Sequence, residues 1–392
     1  MAIHGENFPH SSVVDDYLST IDPEEINKLL VELFINCQKN KIFYNHAETL
    51  LPNNSFHIGV DGFWVHHYHK PHAKDDAGNN ICPHCLPRVH FKGTPQEKTT
   101  WVHVFVTFVM IFPGGFTLPI YVYPLKSRQV NTSKHDDELK QECELIAAHA
   151  VLPIIRNFFP RLKITFLGDS LYANQPFIRL CISLCIEFLI VRKEKSLPTV
   201  GKQCDELATK ELYETHYKHH QKEQIHRGFI EKECRWFNRI YLGEDTYVNV
   251  LRFTETQMKD SGESSTYRNE WLCSYTIKPN NCFLLCFRGR LRWNHEDLHN
   301  TAKNRGFNAK HDYARANPNL WLIWKLLMFV AFFIFELFSH THLAKVTKGS
   351  RSWMKFAKSL LEQLVNVLWI EINNSQCMRK AKIQFRYQFN TS

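Results

Sequence analysis

The chain has 392 residues, of which 44% are hydrophobic, and it contains 29 Phe and 14 Tyr. This apolar content excludes a disordered protein, and the length allows a substantial core divided over two or three domains. The formal net charge is +9, and much of it lies near the C-terminus. From Lys345 onward, nine Lys or Arg stand against two acids, Glu362 and Glu371.

The twelve cysteines and the N-terminus indicate the compartment. Residues 1–12 have neither a basic start nor an apolar run, so we expect no signal peptide. Cysteines without a secretory signal predict reduced thiols in a cytosol rather than disulfides. Residues 320–338 are almost wholly apolar but include Lys325. Because a charge inside a lone membrane span is costly, this stretch predicts a buried core helix.

The first half of the chain alternates between helical and strand patterns. Asp22-Pro23-Glu24-Glu25 opens a helix with an Asp cap, a Pro in the first position and acids in the first turn. Strands are predicted at 56–60, 101–112 and 116–123, with Pro113-Gly114-Gly115 as a turn. A helix over 138–159, a strand over 163–167, a helix over 175–185 and a strand over 187–191 follow. This order is typical of an α/β layered fold.

The second half begins with a β-type region and ends in helices. Strand patterns lie at 235–242, 247–253 and 271–277, and helical patterns at 283–306 and 320–338. A last amphipathic helix starts near Trp353. The resulting division is a helical N-terminal segment (1–52), a core (53–195), a β-rich insertion (196–277), a second part of the core (278–342) and a basic helical tail (343–392). The tail, including Lys355 and Lys358, suits either a nucleic-acid partner or an ordinary solvated helix face.

Three carboxylates occupy positions that suit metal chemistry. Asp61 follows the first predicted strand, Asp169 follows the fourth, and Glu296 lies on a predicted helix. Carboxylates at adjacent strand ends meet at one edge of a sheet. Mg²⁺ prefers a few carboxylates together with water and phosphate oxygen. Two such ions can activate a nucleophile and stabilise the leaving oxygen in a displacement at phosphorus.

Each carboxylate also has an ordinary alternative. Asp61-Gly62 between apolar residues is typical of a hairpin turn, and Gly-Asp-Ser around Asp169 is typical of a turn or a helix cap. Glu296 could pair with Arg292, four residues earlier on a solvated helix face. Taken one at a time, the residues leave these alternatives open.

In combination, the residues resemble bacterial insertion-sequence transposases of the DDE type, in the branch whose last motif reads Tyr-x2-Arg-x3-Glu-x6-Lys. Arg292, Glu296 and Lys303 occupy the Arg, Glu and Lys positions at that spacing. The resemblance spans about residues 15 to 340. It includes the segments Asp61-Gly62, Cys143-Glu144, 169–174 and 303–308. The Tyr position of the motif is occupied by Gly289, which departs from the family.

The resemblance implies an RNase H-like core, a mixed sheet flanked by helices, with a β-rich insertion between the second Asp and the Glu. It implies that Asp61, Asp169 and Glu296 hold two Mg²⁺ or Mn²⁺ ions for cleavage and strand transfer at insertion-sequence ends. Its partners would be transposon-end and target DNA, with a homodimer in the DNA-bound complex and no membrane. The location would be the bacterial cytoplasm at the nucleoid. The alternatives are a nuclease of the same core and a transposase-derived DNA-binding protein without activity.

The same resemblance assigns three DNA contacts. Arg292 and Lys303 would contact phosphates near the cut, which suits cations on one helix face. Trp236, in the insertion, would stack on an unpaired base, as aromatic residues there do in related enzymes. A core aromatic is the alternative for Trp236.

Cys82-Pro83-His84-Cys85 is a Cys-x2-Cys pair in a region rich in histidine. Tetrahedral zinc needs four ligands, and the pair together with two histidines would supply them. One pair is only half of a site, and two free thiols in a loop between strands are the alternative. The neighbouring histidines are His66, His67, His69, His72 and His90.

Overall fold

The computed structural model describes residues 11–43, 55–70, 82–127, 143–210, 217–311 and 317–340, together with 349, 352, 355, 356 and 359. The strands are β1 (Phe56–Tyr68), β2 (Leu86–His90), β3 (Lys98–Ile111), β4 (Thr117–Pro124), β5 (Ile164–Gly168), β6 (Glu187–Val191), β7 (Lys218–Ile225), β8 (Gly228–Gly243), β9 (Thr246–Lys259) and β10 (Ser264–Cys273). The α-helices are α1 (Ser11–Ser19), α2 (Pro23–Lys39), α3 (Glu144–Phe158), α4 (Gln175–Ser183), α5 (Pro198–Ala208), α6 (Cys282–Arg290), α7 (Trp293–Asn304) and α8 (Pro318–Ser339).

The described strands form one mixed sheet in the order β2-β3-β1-β5-β6-β10-β9-β8-β7, with β4 also paired to β3. β1 is antiparallel to β3 and parallel to β5, and β5 is parallel to β6. β5 is buried along its whole length, as expected of a parallel strand that is covered on both faces. The predicted α/β class, with a large mixed sheet flanked by helices, is therefore confirmed.

The predicted helix after Asp22 is present as α2. The Asp22 side chain accepts a hydrogen bond from the Glu24 backbone N–H at 3.0 Å, and Pro23 occupies the first turn. α2 packs beside β4, where the amide of Asn27 pairs with both backbone groups of Val122. The buried Asn27 thereby satisfies the backbone of β4 at a position where a neighbouring strand would otherwise do so.

Helix α8 is long and apolar enough to cross a membrane, but 61% of its most apolar window is buried within the described structure. Its aromatic side chains pack on the central sheet, with Trp321 stacked on Phe105 and Phe329 against Phe63. Lys325 is fully buried, and its ammonium group donates to the backbone carbonyls of Ala309 and His311. Because the charge has oxygen partners inside the protein, α8 packs as the core helix that its sequence predicts.

The region between β6 and α6 differs from its prediction in two respects. Four strands are present instead of three, and their last member, β10, pairs with β6. The predicted 283–306 helix is two helices, since α6 ends at Arg290, next to the poor helix former Gly289. The β-rich region therefore continues the central sheet.

Much of the predicted basic tail lies outside the described residues, including Lys358. Lys355 is exposed, and the neighbouring Phe356 is buried and stacks on Phe338 of α8 with ring centroids 6.1 Å apart. The start of the predicted amphipathic helix thus contacts the core through its apolar side.

Candidate functional site

Asp61 lies inside a strand, which corrects two predictions from the sequence. β1 pairs with β3 as far as Tyr68, with Asp61 opposite Thr107, so Asp61-Gly62 is neither the end of the strand nor a hairpin turn. The turn pattern is overridden because the backbone of these residues is held by a long antiparallel partner strand. The side chain of Asp61 is 28% exposed.

Asp169 lies beside Asp61, as its position after a strand predicts. The parallel pairing of β1 with β5 includes Gly59 opposite Leu167, and both aspartates come two residues after this pair. Neighbouring strands are about 4.8 Å apart, so the chain brings the two aspartates to the same place. One Asp169 oxygen accepts a hydrogen bond from the Leu171 backbone N–H at 2.9 Å, which also makes Asp169 a turn residue.

Glu296 reaches the same site from the first turn of α7. Arg292 donates to its carboxylate at 2.8 Å, so the ion pair that the four-residue spacing allows is present. Burial raises the pKa of Asp61 to about 6. The hydrogen bond from the Gly62 backbone N–H and the charge of Arg292 oppose this shift, and the charges of Asp169 and Glu296 add to it. All three predicted carboxylates therefore lie near enough to interact electrostatically.

A fourth carboxylate, Glu144, joins the site from the first turn of α3. Burial raises the pKa of Glu144 to about 7, and the charges of Asp61 and Asp169 contribute to the shift. A Cβ at Gly62 would lie 2.0 Å from a carboxylate oxygen of Glu144, so a larger residue at position 62 would displace this carboxylate from its place. The sequence offered one signal, the Cys143-Glu144 segment of the resemblance, but it gave Glu144 no role.

Tyr172 lies close to three of these carboxylates. Its ring is 1% exposed and packs against Phe166 and Phe177. The pKa of Tyr172 is raised by burial and then by the charges of Glu144, Asp169 and Asp61. Its buried hydroxyl has no hydrogen-bond partner within the described part of the chain. An unsatisfied buried donor therefore lies beside several carboxylates.

Two cations border the carboxylates. Arg292 is 14% exposed and acts on both Glu296 and Asp61. The ammonium group of Lys303 lies 4.8 Å from the ring centre of Phe63. Burial lowers the pKa of Lys303, and the negative charge of Asp61 opposes this shift. The predicted Arg and Lys therefore stand beside the acidic site, although their contact with DNA stays a prediction.

Helix α7 is fixed to the sheet by two buried histidines. The Nε2 atoms of His295 and His299 lie 2.7 Å and 2.9 Å from the hydroxyl oxygen of Thr107, which also donates to the backbone carbonyl of Asp61. Burial lowers the pKa of both histidines, that of His299 to about 3, so both rings are neutral. This network sets the position of Asp61 relative to Glu296.

The same helix contains His295-Glu296-x2-His299, which has the spacing of a zinc metallopeptidase motif. In such a site both imidazoles face an open metal and a water molecule. Here both rings face Thr107 and are closed off from solvent, with His295 0% and His299 7% exposed. The arrangement therefore disfavours a peptidase and gives the two histidines a role in packing.

The prediction that Trp236 stacks on a base is wrong. Its ring is 1% exposed and contacts Tyr217 with ring centroids 6.2 Å apart, so Trp236 is the core aromatic of the alternative interpretation. Its strand, β8, pairs with β7 and β9, so Trp236 lies within the sheet rather than in a loop. Trp293 has the required exposure instead, at 56%, and lies against the Arg292 guanidinium.

An apolar cleft of about 310 Å³ opens beside Glu144. Trp64 and Leu171 border it and are 41% and 44% exposed. Arg88 reaches over the Trp64 ring, 5.5 Å from its centre. The cleft therefore offers an aromatic ring, a cation and a carboxylate within one depression.

Cys82 and Cys85 meet a histidine that their sequence neighbourhood did not indicate. His103, on β3, lies with its Nε2 atom 3.5 Å from the Cys82 sulfur and 3.1 Å from the Cys85 sulfur. All three side chains are buried, and their ligand atoms lie within 4.8 Å of one another, so this group could hold a metal ion. Within the described ranges, no other three His, Cys, Asp or Glu ligand atoms are so close.

The other histidines near Cys82 and Cys85 in the sequence either have different contacts or lie outside the described residues. The Nδ1 atom of His84 contacts the Leu125 carbonyl oxygen at 3.1 Å, and the Nε2 atom of His90 contacts the Thr100 hydroxyl at 2.8 Å. His69 is exposed. The side chains of His66 and His67, and all of His72, are outside the described structure.

The described molecule thus carries two separate groups of ligand-bearing side chains, one acidic and one of Cys and His. Comparison with models of known protein families and with curated proteins returns no match for this chain.

Proposed function

We propose that the chain is a DDE-type DNA transposase that cleaves and joins DNA with divalent cations held by Asp61, Asp169 and Glu296. The observation that carries the proposal is the convergence of these three carboxylates, from β1, from the end of β5 and from α7, on one partly exposed site. The three residues are far apart in the chain. They were predicted from sequence motifs, which contain no information on the distances between them.

The strand arrangement supports an RNase H-like core. β1, β3 and β4 form an antiparallel meander, and β5 and β6 then run parallel to β1 on its other side. Asp61 in the first strand and Asp169 after the first parallel strand meet at the edge where α/β proteins usually bind ligands. The β-rich region lies between Asp169 and Glu296, as the family pattern requires.

The donor chemistry fits Mg²⁺ or Mn²⁺. The groups that converge are carboxylates, the ligands that hard divalent cations prefer, and burial together with mutual repulsion raises the pKa of Asp61 and Glu144. A bound cation would offset both effects. Two ions held by these groups would lie roughly 4 Å apart. Glu144 would then be an additional acidic ligand or a base for bound water.

The bound ions would supply an activated nucleophile and stabilise the leaving oxygen at phosphorus. The protein's own residues position the DNA for that step. Arg292 can exchange its pairing with Glu296 for a bidentate contact to a phosphate, and Lys303 adds a second positive charge on the same helix. Trp293, exposed beside Arg292, presents a ring for a base that leaves the stack.

Cleavage and joining assays with an Asp169→Asn variant test the proposal. Purified protein is incubated with Mn²⁺, a labelled duplex of the DNA that flanks its gene, and an unlabelled target plasmid. We expect wild-type protein to give nicked and joined products. The variant should lose more than about 100-fold in rate, because even outer-shell partners of metal ligands cost 10- to 100-fold.

Asp205→Asn is the matched control. Asp205 forms an ion pair with Arg252 in the β-rich region, and its side chain is 70% exposed. This variant should retain full activity. Nicked products without joined strands would identify a nuclease of the same core. DNA binding without either product in wild-type protein would identify the inactive, transposase-derived DNA-binding protein.

A further inference from the structure

The loop before β2 brings two thiols to a histidine of the central sheet. Cys82 and Cys85 are 1% and 0% exposed, and the Cys85 backbone N–H bonds to the Cys82 carbonyl, which forms the tight turn of a Cys-x2-Cys pair. His103 is 1% exposed and lies on β3, one residue after Val102, which pairs with Leu86 of β2. The pairing of β2 with β3 therefore brings the turn to the histidine.

The distances match a tetrahedral zinc site. With Zn–S of about 2.3 Å and Zn–N of about 2.0 Å, a sulfur and a nitrogen ligand lie about 3.5 Å apart. The Nε2 atom of His103 lies 3.5 Å from one sulfur and 3.1 Å from the other. Both distances are close to the expected value, and small movements would equalise them.

The surroundings favour a cation over a disulfide. All three side chains are enclosed in protein, which protects thiolates from solvent but makes an uncompensated negative charge costly. A disulfide would neutralise the thiols without using His103. A divalent cation of borderline softness uses two thiolates and a neutral imidazole together, and zinc is the ion that combines these ligands most readily.

We propose that Cys82, Cys85 and His103 bind a structural zinc ion through both sulfurs and Nε2, with the fourth position filled from outside this trio. The ion joins the loop to β3, and it joins both to α8, because the His103 ring lies 4.2 Å from the ring of Trp321. The site is separate from the acidic residues and does not depend on their proposed activity.

Metal analysis of the full-length protein tests the site directly. After purification without chelators, we expect about one zinc per chain by mass spectrometry. Replacement of zinc by Co²⁺ should give a sulfur-to-cobalt charge-transfer band and the intense visible bands of a tetrahedral ion. Zinc far below one per chain, together with no cobalt–thiolate band, would overturn the proposal without any variant being made.

Substitutions then assign the ligands. Cys82→Ser, Cys85→Ser and His103→Asn should each lower the zinc content at least severalfold and weaken or shift the cobalt bands. Cys181→Ser is the matched control, because Cys181 is a buried thiol of α4, away from this trio. If the control loses zinc and the three variants keep it, the assignment is wrong. A Cys82–Cys85 disulfide, found in alkylated peptides of the native protein, would also overturn it.

Discussion

The surroundings of Asp61 disfavour the ionised form of its carboxyl group. Its pKa of about 6 lies above the ordinary value of 3.8, mainly through burial. The folded chain therefore binds a proton more tightly than the unfolded chain. The contribution of Asp61 to stability is largest at low pH and is lost as the pH rises from 3.8 to about 6. At alkaline pH the ionised group destabilises the protein unless a cation is bound.

We therefore predict that Asp61→Asn stabilises the cation-free protein at about pH 8. The rise in the pKa of Asp61 from 3.8 to about 6 sets an upper limit of about 3 kcal/mol on the gain in free energy of unfolding. Mn²⁺ should raise the melting temperature of wild-type protein and have much less effect on the variant. Thermal melts with a chelator and with Mn²⁺ measure both effects. A variant less stable than wild type under these conditions would show that the charge of Asp61 is well accommodated.

At the scale of single residues, the sequence identified those site members that belong to a spaced motif. Asp61, Asp169 and Glu296 were found in this way, and the structure brings them together. Glu144 and His103 were not assigned a role. Each reaches its site through the pairing or packing of elements distant in the chain, and no local pattern reports such contacts.

Trp236 shows the opposite failure. An aromatic residue in a β-rich region has the same local signature whether its ring faces solvent or the core, because alternate residues of a strand face opposite sides. The side chain is buried since Trp236 belongs to the inner face of β8. Which face of β8 is buried depends on the helices that pack on it. These helices lie elsewhere in the chain, so the local pattern of the strand does not reveal the buried face.

At the scale of elements, the joint between α7 and β3 depends on one hydroxyl group. Thr107 contacts His295, His299 and the backbone of Asp61. We predict that Thr107→Val, which keeps the shape of the side chain, lowers the free energy of unfolding by about 2 to 4 kcal/mol, because it leaves buried polar atoms without partners. Urea denaturation of the purified protein measures the change.

Thr256→Val provides the comparison for that measurement. Thr256 lies on β9, and its hydroxyl contacts the Thr266 hydroxyl at 3.4 Å in an exposed pair. Its substitution should change stability by less than about 0.5 kcal/mol. If the two variants behave alike, the network at Thr107 does not fasten α7.

Elements with strong local signals were predicted well, and elements without them were not. α2 carries its cap, its first-turn proline and its acids in sequence, and it begins where these place it. β7 was missed, because its residues are polar and mostly exposed and show no alternation of apolar and polar positions. Its strand conformation comes from pairing with β8 along its whole length, a long-range cause.

At the scale of the whole molecule, the pairing of β10 with β6 joins the β-rich region to the central sheet. The division of the chain at residues 196 and 277, expected from composition, crosses this hydrogen-bonded ladder. Composition cannot reveal it, because a change in residue usage does not show whether two segments share strand edges.

We predict that deletion of the chain from Lys345 onward weakens DNA binding and flattens its dependence on salt. The deleted segment carries nine basic and two acidic residues, a net charge of +7. Each phosphate that the shortened chain no longer neutralises reduces the slope of log K against log salt by about 0.9. Binding isotherms at several salt concentrations give the slope. An unchanged slope would assign the tail to a solvated surface.

The close fit at Gly289 bears on the departure of the chain from the motif. A Cβ at position 289 would lie 2.6 Å from the indole of Trp271, so no side chain fits there while the tryptophan is present. The Tyr-x2-Arg-x3-Glu-x6-Lys motif has a tyrosine at this position. Gly289 and Trp271 therefore complement each other in size, because the indole occupies the space that a side chain at position 289 would need. The departure from the motif is thus compatible with an intact core, because the Trp271 ring of β10 fills the space beside position 289.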